Sequence, residues 1–189
     1  MMGIPGTGLA NPVAVVQSGR ASCRFIAESV ALDIGDTLLA VTGRYKFRAL
    51  RPRAFESLDF PFLADSTMGD PILLDATIQY DAKPEEPLRV RERGRLWSWN
   101  LDHASWDSCE VRLRYSQRLT ARHAGYLLTS CRSWREPLEY ARLVVRFSPQ
   151  AEAPRFNLPL SAVWSHRMAP TFQGEFSGWM PTDDLVVSW

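Results

Sequence analysis

Six residues within Leu88–Trp99 (LRVRERGRLWSW) have side chains suited to recognition chemistry: Arg89, Arg91, Arg93, Arg95, Trp97 and Trp99. They occupy every second position, so on a continuous strand all six share one face. Guanidinium groups beside indoles can hold phosphates and stack bases. The same residue types also mark protein interfaces, and buried indoles commonly fill sandwich cores. A second reading splits the stripe: Glu92-Arg93-Gly94-Arg95 has the composition of a hairpin turn with Gly94 left-handed. Leu88–Arg91 and Leu96–Leu101 would then be paired strands. Both readings stand at this point. Arg112 and Arg114 alternate in the same way and complete the candidate nucleic-acid- or partner-binding set.

Catalytic chemistry has little support in the sequence. A nucleophilic site needs a nucleophile, a base and an orienting group. His103, His123 and His166 each lack a recognisable motif, and Gly174–Gly178 misses the nucleophile-elbow spacing by one residue. Cys23, Cys109 and Cys131 contain no CxxC pair, and the His103, Cys109, His123, Cys131 spacings match no zinc motif. Glu85-Glu86 and Asp183-Asp184 lie in connector-like sequence and are expected to be solvated. The opening Gly3–Gly8 run has no preceding strand and no Gly-Lys-Ser/Thr. A non-enzyme without cofactor or metal is expected.

The elements that would position the arginines are strands. Period-two patterning runs along the chain, with candidates at Val13–Gln17, Cys23–Ile34, Leu38–Leu50, Ile72–Tyr80, Leu88–Asn100, Glu110–Leu119, Tyr126–Trp134, Ala141–Phe147 and Leu158–His166. Weaker signals lie at Thr171–Trp179 and Leu185–Trp189. In Glu110–Leu119, Val111, Leu113 and Tyr115 point one way and Arg112, Arg114 and Ser116 the other, a half-buried antiparallel pattern. The best helix candidate runs from Pro52 to Leu63, with Phe55, Leu58 and Phe62 on one stripe. The expected fold is all-β: an antiparallel β-sandwich, jelly roll or barrel with extended terminal arms and at most one or two short helices. An N-terminal arm plus first strand (1–20), a single β domain (21–180) and a C-terminal tail (181–189) divide the chain.

The 189 residues are 46% hydrophobic and 23% charged, the profile of a globular chain able to bury its own core. The formal net charge is only +1, so no global field demands nucleic acid. Between Arg89 and Arg146, however, twelve arginines face six acids. The only lysines are Lys46 and Lys83. No segment has the length of a membrane span, and the opening residues lack the charged start and long apolar stretch of an export signal. An intracellular setting, cytoplasmic or within an assembled particle, is expected.

The leading functional expectation is a structural or assembly protein that self-associates or docks on a larger particle, such as a virion or phage component. Its arms would offer Ile4, Pro5, Leu9, Val186 and Trp189 to homo-oligomer partners or neighbouring structural subunits. The alternatives are a β domain that binds RNA or DNA through the Arg/Trp face, and a small-ligand- or glycan-binding barrel.

Overall fold

The computed structural model describes residues 13–14, 22–51, 55–63, 65–102, 106–148, 154–163 and 170–189. Ile4, Pro5 and Leu9 lie outside these, as do His103, Trp164 and His166. In chain order the strands are β1 (Val13–Ala14), β2 (Cys23–Ile34), β3 (Leu38–Ala49), β4 (Phe55–Pro61), β5 (Ile72–Tyr80), β6 (Glu86–Pro87), β7 (Arg91–Arg93) and β8 (Leu96–Asp102). They continue with β9 (Ser108–Arg118), β10 (His123–Tyr126), β11 (Leu138–Phe147), β12 (Arg155–Phe156), β13 (Ser161–Val163), β14 (Thr171–Trp179) and β15 (Leu185–Ser188). A 3-10 helix spans Thr129–Trp134.

These strands build three sheets. An eight-stranded sheet has the order β13-β14-β11-β2-β3-β9-β5-β6, a four-stranded sheet β1-β4-β8-β7, and a three-stranded sheet β10-β15-β12. Pairing is antiparallel except between β2 and β11, which run parallel. Alternation explains the layering. Val30, Leu32, Ile34, Leu39, Val41, Tyr45 and Phe47 are buried, whereas Arg44, Lys46 and Arg48 between them are exposed. The architecture is all-β, a large multi-strand sheet with two small ones, in keeping with the expected antiparallel sandwich, jelly roll or barrel.

Aromatic rings join the layers. Phe60 of β4 packs edge-on against Tyr45 of β3 at 5.4 Å and against Tyr115 of β9 at 6.3 Å. Phe62 and Trp97 meet at 4.5 Å, nearly perpendicular, and both face Tyr115. Such edge-to-face pairs add to the large apolar area these side chains bury.

Two local expectations are corrected. Pro52–Leu63 contains strand β4, because Glu56, Leu58, Phe60 and Phe62 are buried at every second position and Pro61 has no N–H for a helical ladder. The expected strand Tyr126–Trp134 becomes β10 ending at Tyr126 followed by the 3-10 helix. Asp184 decides that turn, since its carboxylate accepts hydrogen bonds from the N–H groups of Leu128 (3.0 Å) and Thr129 (2.9 Å). Asp184 is thus a bonded, half-buried residue rather than a solvated one.

The C-terminal segment is part of the sandwich. β15 is the middle strand of the three-stranded sheet, with Leu185 and Val187 fully buried. Val186 and Trp189 are half-buried, and the Trp189 ring packs on Phe147 at 5.7 Å. The surface expected of them as a free arm is therefore largely spent on this chain. Among the described residues, no helix is long and apolar enough to cross a membrane.

Candidate functional site: a cationic edge cleft and a basic sheet face

The Arg/Trp stripe is split. Arg93 pairs with Leu96 across the two-residue loop Gly94-Arg95, and Gly94 has φ +58°. A left-handed glycine at the first loop position matches the right-handed twist of the flanking strands, the choice of a type II′ hairpin. The turn sends the six side chains to different places. Arg89, Arg91 and Arg93 are exposed. Arg95 is half-buried and donates to the carbonyls of Leu63, Asp65 and Met68 and to Asp70, which fixes the 63–70 connector.

Trp97 and Trp99 are buried in the core, at 0% and 2% exposure. This corrects their expected place on a surface beside the arginines. β8 faces Phe60 and Phe62 with its odd-numbered residues, and burial of two indoles outweighs their exposure.

Three of the six nevertheless meet. Leu88–Arg91 crosses from the eight-stranded to the four-stranded sheet, and Leu88 still donates its N–H to Ala76 at 2.9 Å. Between this crossover and Ser98–Asn100 lies a cleft of about 680 Å³, lined by Leu88, Arg89, Val90, Arg91, Ser98, Trp99 and Asn100. β8 pairs with β4 along its whole length but with β7 only at Leu96–Ser98. From Trp99 onward its second edge has no strand partner among the described residues. The cleft therefore combines a mostly polar lining, two exposed guanidiniums and an open backbone edge.

Arg112 and Arg114 lie elsewhere, on the outer face of the eight-stranded sheet. Register places Glu175, Arg142, Ser29, Arg44, Arg112 and Thr77 in one row across β14, β11, β2, β3, β9 and β5. The next row holds Val144, Ala31, Thr42, Arg114 and Asp75. Arg44 and Arg112 are directly opposite, a like-charge pairing that destabilises a sheet. The Arg112 Nε is buried without a hydrogen-bond partner. Arg44 reaches Glu110 at 3.5 Å, Arg142 reaches Glu175 at 3.5 Å, and Arg146 reaches Asp33 at 3.0 Å.

Sequence reading missed Arg44 and Lys46 on this face, and Ser98 and Asn100 in the cleft. The signal for the first two was present as Arg44-x-Lys46-x-Arg48, the same period-two code as in the stripe.

The other chemical groups are separated. Cys23, Cys109 and Cys131 are free and buried. Burial, then the Glu28 carboxylate, pushes the Cys131 thiol up to about 12, so it is not a thiolate at neutral pH. Burial likewise raises Cys23 and Cys109. His123 Nε2 lies 3.1 Å from Asp65 Oδ2, and burial alone would raise that carboxyl. Hydrogen bonds from Thr67 and the neighbouring His123 outweigh burial and hold Asp65 below its ordinary value. Burial raises Asp59, against the pull of Arg93. No cluster of three or more His, Cys, Asp or Glu capable of holding a metal occurs among the described residues.

No protein-family model and no curated protein matches the chain. Its fold does match solved structures. One is a "putative nutrient binding protein" from Legionella pneumophila subsp. pneumophila str. Philadelphia 1, at 12% identity over 97% of this chain and 73% of that one, TM-score 0.59. Another is a two-domain M1 zinc metallopeptidase variant bound to L-arginine, at 14% identity over 90% of this chain, TM-score 0.52. A third is an M1 zinc metallopeptidase variant from Deinococcus radiodurans, at 15% identity over 88%, TM-score 0.50. The chain spans 43% and 42% of those two metallopeptidases. At these identities the likeness defines a shared β-sandwich fold.

Proposed function

We propose that the chain is a non-enzymatic docking module that joins a larger assembly by accepting an extended acidic segment of a neighbouring subunit in the edge cleft. The supporting observation is the open edge of β8 beyond Ser98, flanked by exposed Arg89 and Arg91. An open edge offers unpaired backbone N–H and C=O groups that an extended peptide can complete. Two guanidiniums at its mouth select carboxylate-bearing side chains. A fold shared with part of two-domain proteins is compatible with a module that works beside a partner.

Calorimetric titration with a synthetic peptide of alternating Glu and Val tests this. Binding is expected, with loss of about tenfold or more in Arg89→Ser/Arg91→Ser. A peptide with Pro at alternate positions lacks the backbone donors and should not bind. No binding by the first peptide, or equal binding by the second, would overturn strand addition.

The cleft volume supports a second reading, a small-ligand site, because about 300–1,000 Å³ is the usual range for such pockets. The name of the Legionella protein belongs to the same class of activity. A rise in melting temperature with free dicarboxylates or amino acids, absent with the peptide, would favour it.

A further inference from the structure

We propose that the outer face of the eight-stranded sheet binds a single strand of nucleic acid through its phosphates, along a trough over β2. Ala27, Ser29 and Ala31 form the floor, small residues on the strand between β11 and β3. The walls carry Arg142 and Arg146 on β11, and Arg44, Lys46 and Arg48 on β3. Against these five cations the three strands present two exposed acids, Asp33 and Glu139, the latter paired with Arg48 at 2.9 and 3.2 Å. Two strand spacings make the trough about 10 Å wide, and outward cations repeat about every 6.6 Å along β3. Three cations along β3 and two along β11, on either side of a narrow floor, complement a polymer whose own charges repeat.

Three further features point to phosphates rather than to an acidic protein. The floor has no aromatic or large apolar anchor of the kind that carries protein interfaces. Tyr140, 39% exposed and across from Ala27, stands at one end where a base can stack. Arg112 stands opposite Arg44 on the neighbouring strand, so an anion bridging the two guanidiniums would relieve their repulsion. Four of the five cations already hold a carboxylate (Arg142 with Glu175, Arg146 with Asp33, Arg44 with Glu110 and Arg48 with Glu139), and all four pairs are exposed. Such pairs contribute little and are exchangeable for phosphate contacts.

Fluorescence anisotropy of the full chain with fluorescein-labelled oligo-dT and oligo-U of about twenty nucleotides, across a salt series, tests the site. Binding is expected to weaken with salt. In Arg44→Ser/Arg142→Ser the slope of log K against log salt should fall by about 1.4, two phosphate contacts at about 0.7 each. Affinity at low salt should fall about tenfold or more, with the thermal melt retained. Arg89→Ser/Arg91→Ser should bind as the parent does, which separates this face from the cleft. The relative strength of the two oligonucleotides tells DNA from RNA. The inference is overturned by absence of binding, by unchanged binding in the folded Arg44/Arg142 variant, or by polyglutamate matching either oligonucleotide in direct titration.

Discussion

The Tyr45 and Tyr126 hydroxyls lie 2.8 Å apart and link the eight-stranded sheet to the three-stranded one through the core. Both rings are fully buried, and burial raises both phenols well above their ordinary value, so each stays protonated. The approach depends on Gly43, because a Cβ there would fall on the Tyr45 hydroxyl itself. Gly43→Ala is therefore expected to destabilise the fold by about 1–3 kcal/mol through overpacking. Tyr126→Phe, which strips Tyr45 of a buried partner, should cost about 1–3 kcal/mol. Urea denaturation of each variant measures both, and Gly43→Ala as stable as the parent would refute the packing argument.

Arg95 and Arg93 are two residues apart and should behave oppositely. Arg95 holds three carbonyls and Asp70, so Arg95→Ala should lose about 2–3 kcal/mol. Exposed Arg93 can become Ala within about 0.5 kcal/mol. Equal midpoints for the two variants would show that the 63–70 connector does not depend on Arg95.

Asp65 supplies an acid-side pH dependence. Its carboxyl is held below the ordinary 3.8, so the unfolded chain takes up its proton more readily than the folded one. The stability it contributes is present above about pH 4 and is lost as pH falls through the depressed folded value. Asp65→Asn should cost about 1–2 kcal/mol at pH 7, with the difference closing in melts recorded toward pH 3.

The three thiols should resist alkylation while the chain is folded. Burial raises all of them, Cys131 to about 12, and leaves little thiolate to react. Iodoacetamide labelling at pH 8, read by mass, should remain near zero in buffer and reach three adducts in denaturing urea. Rapid labelling of a folded thiol would contradict this.

The hairpin turn needs its glycine. Gly94 sits at φ +58° with open space around it, so backbone strain alone opposes a side chain. Gly94→Val should cost about 1–2 kcal/mol and Gly94→Asn less, because Asn tolerates the left-handed region. Thermal melts that rank Asn below Val would reject that cause.

The alternation of apolar and charged residues, read along the chain, was enough to place it in the all-β class, as a sandwich, jelly roll or barrel. β2, β3, β9 and β11 follow it because each has one face in the core and one in water. The same local code left the stripe from Arg89 to Trp99 undecided, since period two holds on either side of a two-residue turn. Only the closing of the Gly94 hairpin separated Arg95, as a connector clamp, from Arg89 and Arg91 in the cleft. It was packing against Phe60 and Phe62 that drew Trp97 and Trp99 inward. The basic face was illegible for another reason. Arg142, Ser29, Arg44 and Arg112 are scattered over more than a hundred residues of sequence and form a row only through strand register. Local patterning is set by which face of each strand meets water, whereas the row is set by long-range pairing of strands that no local pattern specifies.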